Sequence, residues 1–113
     1  MHELSIATSI LKTAKNEVEK IKGKNVTEIF LEIGKISGIE ISSLNFVWEQ
    51  CMKDSVLEKA KVHITEPEGF ARCAECNHEF NISFIYDTCE KCGSPFKEII
   101  TGQEMKIKKL VIN

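Results

Sequence analysis

The sequence predicts an α+β fold: a three-stranded mixed sheet with two helices on one face, and a four-cysteine zinc ribbon inserted before the last strand. Three observations predict it. Apolar residues recur at helical spacing in two stretches and at strand spacing in three others, in the order helix, strand, helix, strand, strand. Cys73-Ala-Glu-Cys76 and Cys89-Glu-Lys-Cys92 are separated by twelve residues, a spacing at which two knuckles offer four sulfurs to one tetrahedral ion. These knuckles fall between the last two strands, so the final strand returns to a sheet already begun.

The first helix follows from Leu4, Ala7, Leu11, Ala14, Val18 and Ile21, which step by three and four, with Ile6 and Ile10 widening the stripe. Lys12, Lys15, Asn16, Glu19 and Lys20 occupy its other side, and Gly23 sits where a left-handed cap would stop it. From Val26 to Ile36 the period becomes two: Ile29, Leu31 and Ile33 alternate with Glu28, Phe30 and Glu32, which makes a strand with one face on a core. Gly34, Ser37 and Gly38 mark the turn out, and Ser42-Ser43 reads as the N-cap of a second helix carrying Leu44, Val47, Trp48, Cys51 and Met52 on one stripe. The next strand lies within Leu57 to Glu66, with Val62 and Ile64 facing one way and His63 and Thr65 the other, and Pro67-Glu68-Gly69 breaks it. Between Glu104 and Ile112 the alternation Met105, Ile107, then Leu110, Ile112 slips by one residue at Lys108-Lys109. A bulge there keeps the four side chains on one face.

The hinges Pro67-Glu68-Gly69 and Thr101-Gly102 divide the chain into residues 1-68 with 101-113, an α+β domain, and residues 69-100, the ribbon. At 113 residues and 42% hydrophobic content, what remains outside the ribbon supports only a small two-layer core. The formal net charge of -2 supplies no broad attraction for nucleic acid or an anionic membrane. Within the ribbon, Arg72, Lys91 and Lys97 stand against Glu75, Glu79, Asp87, Glu90 and Glu98, and four thiolates around a dication add to the negative sign, the opposite of a phosphate-binding surface. Five cysteines with four in matched knuckles fit a reducing compartment. Neither a signal peptide nor a bilayer-spanning apolar run is seen, so the expected setting is cytoplasmic and soluble.

Two places carry metal chemistry. With Cys73, Cys76, Cys89 and Cys92 all supplied by protein, a zinc ion has no open position for water, so it acts as a folding element. At the other end, Met1-His2-Glu3 places an amine, the His2 backbone nitrogen and the His2 imidazole in one chelating unit, suited to the tetragonal nitrogen sites that Ni(II) and Cu(II) favour. The first N–H groups of a helix have no intrahelical partner, and Glu3 offsets the helix dipole that opposes a cation there. On these residues alone a second reading stays open, in which His2 and Glu3 are solvated terminal residues and Glu3 serves as a first-turn charge. His78, close after Cys76, reads as exposed and able to join a transient metal site. His63 reads as a sheet-face residue, Cys51 as a small buried hydrophobe, and Trp48 as core. No Ser/His/Asp set, phosphate loop or catalytic carboxylate pair is evident, so no enzyme is expected.

The start Met1-His2-Glu3-Leu4-Ser5-Ile6-Ala7, the Gly34-x-x-Ser37-Gly38 turn, the Glu66-Pro67-Glu68-Gly69 break, the paired knuckles and the closing Gly102-x-Glu104-Met105 strand together resemble the HypA/HybF family of hydrogenase maturation proteins. The resemblance spans nearly the whole chain. It implies a nickel metallochaperone that passes Ni(II) to nickel-iron hydrogenase large-subunit precursors, works with a HypB-type GTPase, and in some bacteria also supplies urease through urease maturation proteins. It further implies a nickel site at His2 and Glu3 with the Met1 amine nearby. An acidic residue before the second helix, commonly aspartate in the family, adjoins that site; the matching position here is Glu40, one methylene longer. Two other classes remain: a zinc-ribbon adaptor for a protein or nucleic acid, which would ignore nickel, and a zinc enzyme, which would need an open coordination position.

Overall fold

The computed structural model describes residues 3–113, and it divides the chain into two compact units. One unit takes the residues up to Leu31 with Ile39–Ile64 and Ile107–Asn113; the other takes Glu32–Gly38 and Thr65–Lys106. The order is α1 (Glu3–Lys20), β1 (Val26–Ile33), α2 (Ile41–Cys51), β2 (Lys61–Thr65), β3 (Gly69–Cys73), β4 (Glu79–Ile82), β5 (Lys97–Thr101) and β6 (Met105–Ile112). No helix among the described residues is long and apolar enough to cross a membrane.

In the first unit α1 packs against α2, and its buried stripe is Ala7, Ile10, Ala14 and Val18. The stripe is shorter than its sequence suggests: Leu4 and Ile21 are 57% and 63% exposed, because the burying neighbours do not reach the ends of the helix. Its C-terminus also differs from expectation. The left-handed residue is Lys22 (φ 55°), not Gly23, and the N–H groups of Lys22 and Gly23 donate to the carbonyls of Glu19 and Val18, the Schellman pattern. Gly23 is needed for room, since a Cβ there would lie 2.5 Å from Cγ2 of Ile112.

The sheet runs in the order β2-β1-β6 and is mixed. Ile29 and Leu31 are buried on one face of β1, while Glu28 and Phe30 lie on the other, where His63 of β2 stacks on Phe30 at 4.4 Å and the Lys109 ammonium sits 5.5 Å from the same ring. One face is therefore core and the other is wet, and both helices serve the core face through Leu44, Trp48 and the α1 stripe. Along β6 the half-buried residues include Met105, Ile107, Leu110 and Ile112, with Lys106, Lys108 and Lys109 exposed, which follows the phase slip read from sequence.

The second unit is built on a sheet of order β4-β3-β5, antiparallel throughout. Ala71, Cys73, Phe80, Ile82 and Cys89 form its core, with Ile36, Cys76 and Ile99 packed against it. Arg72, on the outer side of β3, donates to Glu79 of β4 and Glu98 of β5 at 3.0 Å and 3.3 Å. These pairs are exposed, so each is worth only about 0.2–1 kcal/mol and serves register more than stability. Residues 32–38 belong here because Gly34 lies against Gly102: a Cβ on Gly34 would fall 2.0 Å from the Gly102 carbonyl oxygen, and Ile36 N–H donates to that oxygen at 2.8 Å.

Candidate metal centres

Each knuckle is a tight turn of the same construction. In the first, Cys73 N–H donates to the His78 carbonyl and Asn77 N–H to the Cys73 carbonyl, at 2.8 Å and 3.0 Å. In the second, Cys89 N–H donates to the Ser94 carbonyl and Gly93 N–H to the Cys89 carbonyl, at 2.9 Å and 2.8 Å. Asn77 (φ 63°) and Gly93 (φ 76°) both take the left-handed conformation, and these are residue types that tolerate it at low cost. The sequence signal for this match is the Asn and Gly directly after the second cysteine of each pair.

The turns point backbone N–H groups at sulfur. Cys73 Sγ accepts from Glu75 and Cys76 at 3.4 Å and 3.5 Å, and Cys89 Sγ from Lys91 and Cys92 at 3.4 Å and 3.5 Å. All four sulfurs lie within 4.8 Å of one another, and the pairs Cys73–Cys92 and Cys76–Cys89 approach to 3.6 Å. A disulfide would need about 2 Å, whereas a tetrahedron with zinc–sulfur bonds of about 2.3 Å spaces its sulfurs by a little under 4 Å. The quartet therefore fits a zinc ion and not a pair of disulfides.

The electrostatics agree. The Cys76 N–H holds the Cys73 thiol below its ordinary range, against the opposing effect of burial. Burial pushes Cys89 up, but the N–H groups of Cys92 and Lys91 and the neighbouring sulfurs outweigh it and bring the thiol down to about 6. Cys92 receives the Ser94 N–H, which favours the thiolate, yet the other three sulfurs and desolvation drive it up to about 12. Cys76 is likewise raised: the His78 N–H favours its thiolate, and burial with the sulfurs of Cys89 and Cys73 prevails. Four thiolates this close cannot all ionise alone, so two give way to two. A dication removes that conflict.

His78 is half-buried, not exposed as the sequence suggested. Its Nε2 lies 2.8 Å from Glu90 Oε1 and its ring is parallel to Phe80 at 6.0 Å, so the side chain is held against the ribbon. His63 is a sheet-face residue, with Nε2 at 2.9 Å from Glu28 Oε1. Trp48 is core, and Cys51 is half-buried. Among the described residues the four cysteines are the one group of three or more side chains placed to hold a metal ion.

Of the residues expected at the other site, Met1 and His2 lie outside the described residues, while Glu3 and Glu40 are brought together. The Glu40 N–H donates to Glu3 Oε2 at 3.3 Å, and Ser42 Oγ donates to Glu40 Oε1 at 2.7 Å. Glu40, and not Ser42 or Ser43, is thus the N-cap of α2; it makes no side-chain cap of its own. The head of α1 and the head of α2 meet through a carboxylate on an amide, and two acidic side chains share that corner.

The sequence model of the family described as hydrogenase/urease nickel incorporation, metallochaperone, hypA, matches residues 1–112. Hydrogenase maturation factor HypA of Francisella philomiragia is 38% identical over 113 residues, covering 100% of both chains. The protein of the same name from Parabacteroides distasonis is 38% identical over 112 residues, 99% of this chain and 97% of the other. In fold, the chain is similar to the solution structure of the Ni metallochaperone HypA from Helicobacter pylori, with a TM-score of 0.72 at 26% identity, covering 99% of this chain and 97% of that one. The chain therefore belongs to the HypA family of nickel metallochaperones for hydrogenase maturation.

Proposed function

We propose that this chain carries one Ni(II) at the Met1-His2-Glu3 head of α1, beside Glu40, and hands it to a nickel-iron hydrogenase large-subunit precursor in the cytoplasm, with a HypB-type GTPase as co-worker. The observation that supports this most is the Glu40 N–H on the Glu3 carboxylate at 3.3 Å. It fastens the Glu3 carboxylate, next in sequence to His2, to the backbone of Glu40, and negative charge there offsets the positive ends of two helix dipoles that would otherwise repel a cation. The amine, the His2 backbone nitrogen and the imidazole supply the donors, and Glu3 both neutralises charge and fastens the head of α1 to α2. Such a site is peripheral and incomplete, so a recipient can compete for the cargo.

Cys73, Cys76, Cys89 and Cys92 hold zinc in this reading. With every position filled by sulfur, zinc contributes folding energy to the ribbon and leaves no site for activated water. Cargo and structural metal are thereby kept on different donor sets, one open and one closed.

Calorimetric nickel titration of untagged protein, His2→Ala and a version extended at its N-terminus tests the reading, with zinc content measured alongside. One nickel on the native chain, lost in both variants while zinc stays, is the expected result. Equal binding by all three, or by none, overturns it and leaves the ribbon adaptor as the better account.

A further inference from the structure

Between β4 and the second knuckle the ribbon carries Phe84-Ile85-Tyr86, three consecutive apolar residues that are 54%, 57% and 71% exposed. Folding does not use them. Yet the loop is shaped: Asp87 Oδ2 accepts the N–H groups of Ser83 and Phe84 at 2.8 Å and 3.1 Å, Asp87 N–H returns to the Phe84 carbonyl at 3.1 Å, and the rings of Phe84 and Tyr86 are parallel at 5.1 Å. An aspartate staple holding two aromatic rings clear of the surface is a preorganised contact, which spares part of the ordering cost of binding.

We propose that this tip is a docking knob for the protein that receives the metal, and that the receiving surface is an apolar pocket with a basic rim. The inference rests on the delivery reading above and names its contact surface on the recipient. Area sets the class of contact, and charge selects the occupant. Three half-exposed side chains of this size present on the order of 400 Å², about half of the ~800 Å² per partner that a stable pair of proteins buries. A second copy meeting tip to tip is opposed by the ribbon's charge, since each copy sets three cations against five carboxylates between Phe70 and Ile100. The same sign disfavours an anionic membrane. A small aromatic anchor within an acidic field fits a pocket edged by lysine and arginine, in the manner of a transient contact with a central hot spot.

The test titrates purified metal-free hydrogenase large-subunit precursor into zinc-loaded full-length protein, comparing the native chain with the double variant Phe84→Ser/Tyr86→Ser and with Asp87→Ala, at low and high salt. Expected are affinity about tenfold weaker in the double variant, a smaller loss in Asp87→Ala, weaker binding of the native chain in high salt, and unchanged zinc content. Equal affinity of the double variant and the native chain overturns the proposal, as does failure of the native chain to bind the precursor. It is equally overturned if the double variant instead loses flotation with phosphatidylglycerol vesicles, or loses self-association in sedimentation. Nickel titration on the same samples separates the two readings: nickel binding absent with docking intact sinks the delivery reading alone.

Discussion

Two glycines show how one residue type answers two different demands. Gly34 is a matter of space: an added Cβ would lie 2.0 Å from the Gly102 oxygen and 2.1 Å from its carbon, both backbone atoms that cannot swing aside. Gly93 is a matter of backbone angle: its φ is 76° and a Cβ would meet nothing within 4 Å. Gly34→Ala should therefore destabilise by about 2–4 kcal/mol, as overpacking against backbone does. Gly93→Asn should cost well under about 1 kcal/mol, because Asn77 already takes the same conformation at the matching place of the first knuckle. Urea unfolding midpoints compare the two, and an equal cost at both positions would refute this division. At the same scale, Glu3 ties its own helix to the amide of Glu40, a contact that a first-turn charge alone does not provide.

At the level of elements, the knuckles predict how the ribbon meets acid. Cys89 is depressed to about 6 from its ordinary 9.0. The stability this thiolate lends is fully present above the ordinary value and is lost as pH falls through about 6. Cys92 runs the other way: its thiol form is favoured up to about 12, so without a cation its contribution is present below 9.0 and is lost as pH rises. A bound dication reverses the preference of Cys92 but works with that of Cys89. Acid should hence release zinc, because protons compete with the ion for the four thiolates; release to a chromophoric chelator followed as pH is lowered checks it, and zinc retention that is independent of pH would contradict it. The elements themselves were legible in unequal measure. The alternation of Ile29, Leu31 and Ile33 could be read because β1 has one core face and one wet face. The cysteine spacing announced the ribbon for a similar reason, since the ion that fits it has a fixed geometry. The start of α2 could not be read, because the acceptor for the Glu40 amide comes from Glu3, 37 residues away, and so the local serines looked like the cap. Nor could the ends of the α1 stripe, because apolar spacing does not reveal how far a neighbouring surface extends. Of the two candidate sites, the sulfur quartet was legible in full, whereas the meeting of Glu3 with Glu40 depends on contacts that no spacing encodes.

For the whole molecule, the two units draw on different sources of stability. The first has Ile29, Leu31, Leu44 and Leu57 at no more than 1% exposure, an apolar core that needs no ion. The second has a core in which Cys73 and Cys89 are themselves buried members beside Ala71, Phe80 and Ile82. Two more sulfurs, Cys76 and Cys92, close the quartet. Few large apolar side chains remain there to hold the β4-β3-β5 sheet once sulfur–metal bonds are lost, and small cores of this kind depend on a metal or disulfide. Removing zinc with a strong chelator at neutral pH should therefore unprotect the amides of β3, β4 and β5, while those of Ala7 to Val18 in α1 and of Ile29 and Leu31 in β1 stay slow to exchange. Hydrogen exchange read by mass spectrometry or NMR makes the comparison directly. Uniform loss of protection over both units would mean that the first core depends on the ribbon's metal; unchanged protection over β3 to β5 would mean that the ribbon core stands without the ion. A split response would instead mark two separately stabilised units, in which emptying the closed sulfur site need not unfold the helices whose heads carry Glu3 and Glu40.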